Sequence, residues 1–128
     1  MRILLDTHIF MWWDANVQRL SAGARALCED PNNSLVLSLA SVWEMQIKEQ
    51  LGKLTMRLPL ATLIAQQQSV NGLEILPIQL DHILALSNLP HHHKDPFDRL
   101  LIAQSNLEQI PLLTADAIFS MYSVQLLP

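Results

Sequence analysis

Cysteine is nearly absent. Cys28 is the only one in 128 residues, so no disulfide can form within the chain and a reducing compartment fits. It falls in an expected helix over 21–29, where a small buried thiol is the plain reading. Charge is scarce as well: 16% of residues are charged while half are apolar. That balance excludes a disordered tail and points to a layered structure whose central elements are covered on both sides. No apolar run approaches the ~20 residues that cross a bilayer. The apolar start "MRILLDTHIFMWW" is broken early by Asp6 and carries no small-residue cleavage motif behind it. Neither a membrane span nor a signal peptide is expected, and the protein reads as cytoplasmic. Basic residues are in deficit, eight against twelve acids, for a formal charge of −4. This argues against a protein that holds nucleic acid mainly by a broad basic face. Any nucleic-acid chemistry must draw its positive charge from elsewhere. Internal repeats, low-complexity tracts and inter-domain linkers are missing too, and the length suits a single domain over residues 1–128.

What is present alternates. "RILLD" (2–6) is a short apolar run closed by a carboxylate, the pattern of a parallel strand buried on both faces. "SLVLS" (34–38), "LEILPI" (73–78) and "IPLLTAD" (110–116) repeat it, and "SVQLL" at the end repeats it weakly. Helical patterns fall at 21–29, 41–51, 60–70, 81–89 and 96–109, with a short turn after Asp6 and another after Asp116. This predicts an α/β fold, a three-layer α/β/α sandwich around a mostly parallel sheet of four to five strands. In such folds ligands bind beyond the carboxyl ends of the strands.

Four acids are expected at that rim. Asp6 ends the first strand and Asp116 follows "PLLT". Glu44 lies in the first turn of the helix after "SLVLS", and Asp98 in the first turn of the helix "PFDRLLIAQSNL". Singly, each has an ordinary explanation. "SVWE" has the form of a capping box led by Ser41, and "DPFD" offers Asp95 as N-cap, Pro96 at the first helical position and Asp98 two residues on. Together they are harder to explain structurally, because clustered carboxylates in a poorly solvated pocket repel unless a cation is bound. Oxygen ligands without cysteine suit Mg²⁺ or Mn²⁺, ions that also bind phosphate oxygens and activate water.

The run "HHHKDPFDR" invites a zinc reading, but consecutive side chains in an extended loop point to opposite sides and do not converge on one ion. His91 and His92 read as solvated loop, while His93 and Lys94 are candidates for touching a phosphate. Arg99 could pair with a carboxylate or hold a substrate backbone. His8, near the same rim, reads as a hydrogen-bonding residue.

The segments "LLDTHIFMWW", "SLASVWEMQIKEQLGKL", "LPHHHKDPFDRLLIAQS" and "LLTADAIFSMY", in this order, resemble a PIN-domain ribonuclease of the VapC toxin type, in the branch that carries a DPFDR segment. The resemblance covers nearly the whole chain. It implies Asp6, Glu44, Asp98 and Asp116 as the catalytic and metal-binding acids, with Asp6, Asp98 and Asp116 on the principal ion. Glu44 would place a second ion or the attacking water. It implies Mg²⁺- or Mn²⁺-dependent endonucleolytic cleavage of RNA by a metal-activated water, a homodimer, and a cognate antitoxin. Thr7, Thr114, Lys94, Asp95 and Arg99 are candidates for outer-shell or substrate contacts, though for Asp95 the N-cap role is the favoured reading and an outer-shell role the second. "AQS" departs from the branch, which usually has a second small Ala at Ser105. Phe10, Trp12, Trp13 and Trp43 could line an antitoxin groove or a dimer interface, or fill the core. Lys48, Lys53, Arg57, Lys94 and Arg99 are the candidate backbone contacts.

Rival readings stay open. An aspartyl phosphatase wants a second Asp two positions after the first, where this chain has His8. A receiver-type phosphoacceptor wants a lysine after a late strand, and the last lysine is Lys94. A PIN-like domain that keeps the acids but acts only by binding protein is the third alternative.

Overall fold

The computed structural model describes residues 1–127. Five parallel strands form one sheet in the order β3-β2-β1-β4-β5. They are β1 (Arg2–Leu5), β2 (Ser34–Ser38), β3 (Glu74–Leu76), β4 (Leu112–Leu113) and β5 (Leu126–Leu127). Central β1 has Leu4 opposite Val36 on one side and Leu112 on the other. Side chains alternate across a strand. Ile3 and Leu5 therefore enter one core, with Phe10, Leu35, Leu37, Met45 and Leu63. Leu4 and Val36 enter the other, with Leu101, Ile102, Leu112 and Phe119. Two dry faces explain why the strands read as unbroken apolar runs rather than alternating ones.

The helices are α1 (Thr7–Ala15), α2 (Ala22–Glu29), α3 (Leu39–Gln50), α4 (Leu60–Asn71), α5 (Leu80–Leu84) and α6 (Pro96–Glu108). Short 3₁₀ turns cover Val17–Arg19, Ala85–Asn88 and Ala117–Met121. In α2, Cys28 is buried, and desolvation first, then Glu29, pushes its thiol up to about 11, so it is packing rather than chemistry. α4 ends where Gly72 takes a left-handed φ of 65° and returns its N–H to Gln67.

Three expectations need correcting. The short turn after Asp6 is a nine-residue helix, α1, capped by Asp6 itself. Its sequence THIFMWWDA carries the apolar run IFMWW with no polar residue to mark a face, so it shows no helical period, although only Thr7, Ile9 and Phe10 are buried. α3 starts at Leu39 rather than near Ser41. Ser38 is its N-cap, accepting from the Ala40 N–H at 3.0 Å, so Ser41 heads no capping box and Glu44 lies in the second turn. The expected strands at 73–78 and 110–116 shrink to three and two paired residues. Among the described residues no helix is long and apolar enough to cross a membrane.

Candidate metal centre

The chain lays β1, β2 and β3 outward on one side and then returns to place β4 and β5 on the other, so the topology switches direction between β1 and β4. Parallel sheets open a crevice at such a point, beyond the strand ends. Asp6 leaves β1 there, and Thr114 and Asp116 leave β4.

Asp6 is buried. Its Oδ1 accepts from the Ile9 N–H at 2.8 Å and its Oδ2 from the Thr114 hydroxyl. The same Thr114 oxygen accepts from the Asp116 N–H at 3.0 Å, so one hydroxyl ties the two acids together. Asp116 is exposed and caps the 3₁₀ turn behind it through Ile118 N–H. Desolvation raises the Asp6 pKa most, with Asp116 adding to it. The Thr114 and Ile9 hydrogen bonds and His8 oppose them.

Asp98 arrives from α6. Asp95 caps this helix, accepting from Phe97 and Asp98 N–H groups at 2.8 and 3.3 Å, with Pro96 at the first position. Asp98 Oδ2 lies 2.7 Å from His93 Nε2, and His93 Nδ1 faces the Asp95 N–H at 3.5 Å, an arrangement that favours the tautomer donating to Asp98. Burial first, then the charge of Asp95, pushes the Asp98 carboxyl up to about 6 against the opposing His93 hydrogen bond. Glu44 raises it further. Ligand atoms of His93, Asp98 and Asp116 all lie within 4.8 Å of one another.

Glu44 is buried on α3 and both its oxygens are engaged. Thr7 Oγ1 lies 2.7 Å from Oε1 and 2.9 Å from the Ser41 hydroxyl; having one proton, it donates to Glu44 and accepts from Ser41. Lys48 donates to Oε2 at 2.8 Å, a bond that raises the lysine pKa above its usual value, with Asp95 and Asp98 contributing at longer range. The tight group thus contains Asp98 and Asp116. Asp6 is joined to it through Thr114, and Glu44 flanks it with its own cation.

Sequence reasoning placed His93 at a phosphate and missed its bond to Asp98. The only signal was its place five residues ahead of Asp98, in a loop that Tyr122 pins by accepting from the His92 and His93 N–H groups at 3.1 and 2.8 Å. Arg99 does not turn to the acids: it donates to the carbonyls of Leu86, Leu89 and Pro90 and holds that loop against α6. Arg57 pairs with Asp14 instead of facing the rim. Lys94 stands in a hollow with His91, His93 and Arg99, beside the acids but not among them. Phe10 is wholly buried, whereas Trp43 is 59% exposed and edge-on to Phe97 at 5.3 Å.

The donor set suits a hard divalent ion. The grouped donors are two carboxylates and an imidazole, with the Asp6 carboxylate adjoining them through Thr114; Asp6 and Asp98 are both disfavoured by burial and like charge.

The sequence matches the PIN domain family over residues 3–124. No curated protein sequence matches it. Several solved structures share its fold at low identity. VapBC2 from Rickettsia felis, bound to a DNA fragment from its promoter, is 17% identical with a TM-score of 0.72, covering 99% of this chain and 98% of that one. FitAcB from Neisseria gonorrhoeae is 15% identical at 0.67, covering 98% and 96%. VapBC-5 from Mycobacterium tuberculosis, a member of the VapBC family of toxin-antitoxin systems, is 19% identical at 0.57, covering 94% and 89%.

Proposed function

This chain belongs to the PIN domain family, and on that premise we propose that it is an Mg²⁺- or Mn²⁺-dependent endoribonuclease, the toxin of a toxin-antitoxin pair. The observation that carries the reading is the meeting of Asp98 and Asp116 within 4.8 Å at the sheet's switch point, with Asp6 tied to Asp116 through Thr114.

Asp6, Asp98 and Asp116 would hold the ion, and His93 would orient Asp98 or join the ligands. When bound, the ion supplies the positive charge that lets these acids coexist, takes phosphate oxygens as ligands and lowers the pKa of water. The chain's own contribution is positional. Ile9 N–H and the Thr114 hydroxyl fix the rotamer of Asp6 and leave each of its oxygens a second lone pair. Thr7 and Lys48 fix Glu44, whose role in this reading is to orient the attacking water in line with the leaving oxygen, or to help hold a second ion. No side-chain nucleophile is needed. The fold shared with two-protein VapBC assemblies supports an antitoxin partner, and a homodimer is part of the same proposal.

The test is cleavage of a mixed RNA by the purified protein with and without Mg²⁺ or Mn²⁺. Cleavage should require the ion, stop with chelator, and fall at least ~100-fold in Asp6→Asn, the scale expected when one essential electrostatic contact is removed. An Asp6→Asn protein that cuts as fast as the wild type would sink the assignment.

A further inference from the structure

The five arginines are not equivalent. Arg2, Arg25 and Arg57 pair with Glu74, Glu29 and Asp14. Arg99 is taken up by backbone carbonyls. The exposed side chain of Arg19, at the end of the 3₁₀ turn after α1, donates to no acceptor among the described residues. It is held in another way: its guanidinium carbon lies 4.8 Å from the centroid of the Trp12 ring, a cation–π contact. That contact holds the guanidinium over the indole and leaves its N–H donors available. Trp12 is itself flanked by the His8 ring, 6.0 Å away and tilted by 49°.

Arg19, Trp12 and His8 line a cleft of about 310 Å³ together with Asp6, Ala115 and Asp116. A guanidinium in the same cleft as two carboxylates would ordinarily pair with one; among the described residues Arg19 pairs with neither. An unengaged, pre-oriented fork of donors at the edge of an acidic centre suits an anion that arrives from outside.

We propose that Arg19, stacked on Trp12, binds the phosphodiester next to the scissile one as RNA enters the acidic cleft. The inference rests on the nuclease reading above and adds to it the residue that positions the strand. Acids and ion alone would hold a single phosphate; a fixed guanidinium a short way along the cleft gives the strand a second attachment and so a register. His8, exposed in the same cleft beside Trp12, offers a flat face near that phosphate.

The experiment titrates a short labelled oligoribonucleotide of mixed sequence by fluorescence anisotropy. Ca²⁺ replaces Mg²⁺, and the RNA is checked intact on a gel. Arg19→Ala should weaken binding about tenfold, as loss of one charge-assisted contact implies. It should also flatten the dependence of log affinity on log salt by about 0.7, the contribution of one phosphate in a single strand. Arg25→Ala, which removes an exposed arginine that is paired with Glu29, should change affinity less than twofold, and the Mn²⁺-induced rise in Tm should be the same in all three proteins. The proposal is overturned if Arg19→Ala matches the wild type in affinity and salt slope, which would point to a protein carboxylate as the occupant. It is equally overturned if Arg25→Ala loses as much, or if Arg19→Ala loses the Mn²⁺ effect. A wild type that binds no RNA removes the nuclease reading first and this one with it.

Discussion

Two places in this molecule bury carboxylates, and they do so in opposite ways. The Asp14 side chain, 3% exposed at the end of α1, accepts two bonds from the Arg57 guanidinium at 2.9 and 3.2 Å and a third from Gln67 at 3.1 Å. The acids beyond β1 and β4 have no arginine. Asp6 is held by a hydroxyl and a backbone amide and Asp98 by an imidazole; only Glu44 has an ammonium group. Both Asp6 and Asp98 are raised from the ordinary Asp value, chiefly by burial, and Asp98 reaches about 6. Where a buried acid serves the fold, this chain supplies a forked cation; at the rim it leaves Asp6 and Asp98 without one, and on the proposed reading an ion from solution would relieve them.

The sharpest way to break the contrast is to remove one acid from each place. Asp98→Asn should lower RNA cleavage at least ~100-fold and abolish the Mn²⁺-induced stabilisation. The metal-free protein should nevertheless become more stable at pH 7, by ~1–2 kcal/mol, because a disfavoured charge has gone. Asp14→Ala should do the reverse: about 1–2 kcal/mol of stability lost as Gln67 and Arg57 lose their acceptor, with cleavage per folded molecule retained. Urea unfolding in chelator reads both signs. If the two variants lose stability alike, the rim acids are ordinary structural groups.

A smaller effect follows from pH. Asp98 binds its proton more tightly in the folded chain than in the unfolded one, where its pKa is about 3.9. Its contribution to metal-free stability is therefore greatest below about pH 4 and falls as pH rises to about 6, by of order 2 kcal/mol, then stays low. Other carboxylates titrate in the same window, so the quantity to follow is the difference between wild type and Asp98→Asn. That difference should widen from pH 4 to 6 in chelator and close in Mn²⁺, whose binding replaces the proton. A gap that stays constant with pH would mean that Asp98 is not disfavoured in the fold.

Which of this was legible in the sequence depends on how local the cause is. Apolar runs closed by Asp6 and by Thr114–Asp116 mark strand ends, and parallel pairing brings such ends to one rim, so the shared rim could be read from pattern, whereas the adjacency of β1 and β4 that opens the crevice comes from the fold. Asp95 and Pro96 state the start of α6 outright. α1 was missed because its apolar residues run on without a polar stripe, and its Ile, Phe and Trp residues favour strands equally well. Ser38 and Ser41 both offer a cap to α3, and only the tertiary bond from Ser41 to Thr7 decides between them. The partners of His93, Arg99 and Arg19 depend on where a loop and a 3₁₀ turn fold back, and residue spacing carries no information about that.

The finest distinction is at Thr114, whose hydroxyl does for Asp6 what Arg57 does for Asp14, with a dipole in place of a charge. Thr114→Val keeps the shape and the β-branch, removes the donor to Asp6 and the acceptor of the Asp116 N–H, and should cost about 1 kcal/mol in metal-free stability. If the hydroxyl only closes a turn, nothing else should change. If it orients Asp6 for an ion, Mn²⁺ affinity should also drop several-fold, read from the Mn²⁺ concentration that half-restores the Tm. Asp6 has then lost the bond that most opposes its raised pKa, so a larger share of the ion's binding energy goes into displacing a proton. The loss should accordingly grow as pH falls, a dependence that a purely structural hydroxyl would not produce.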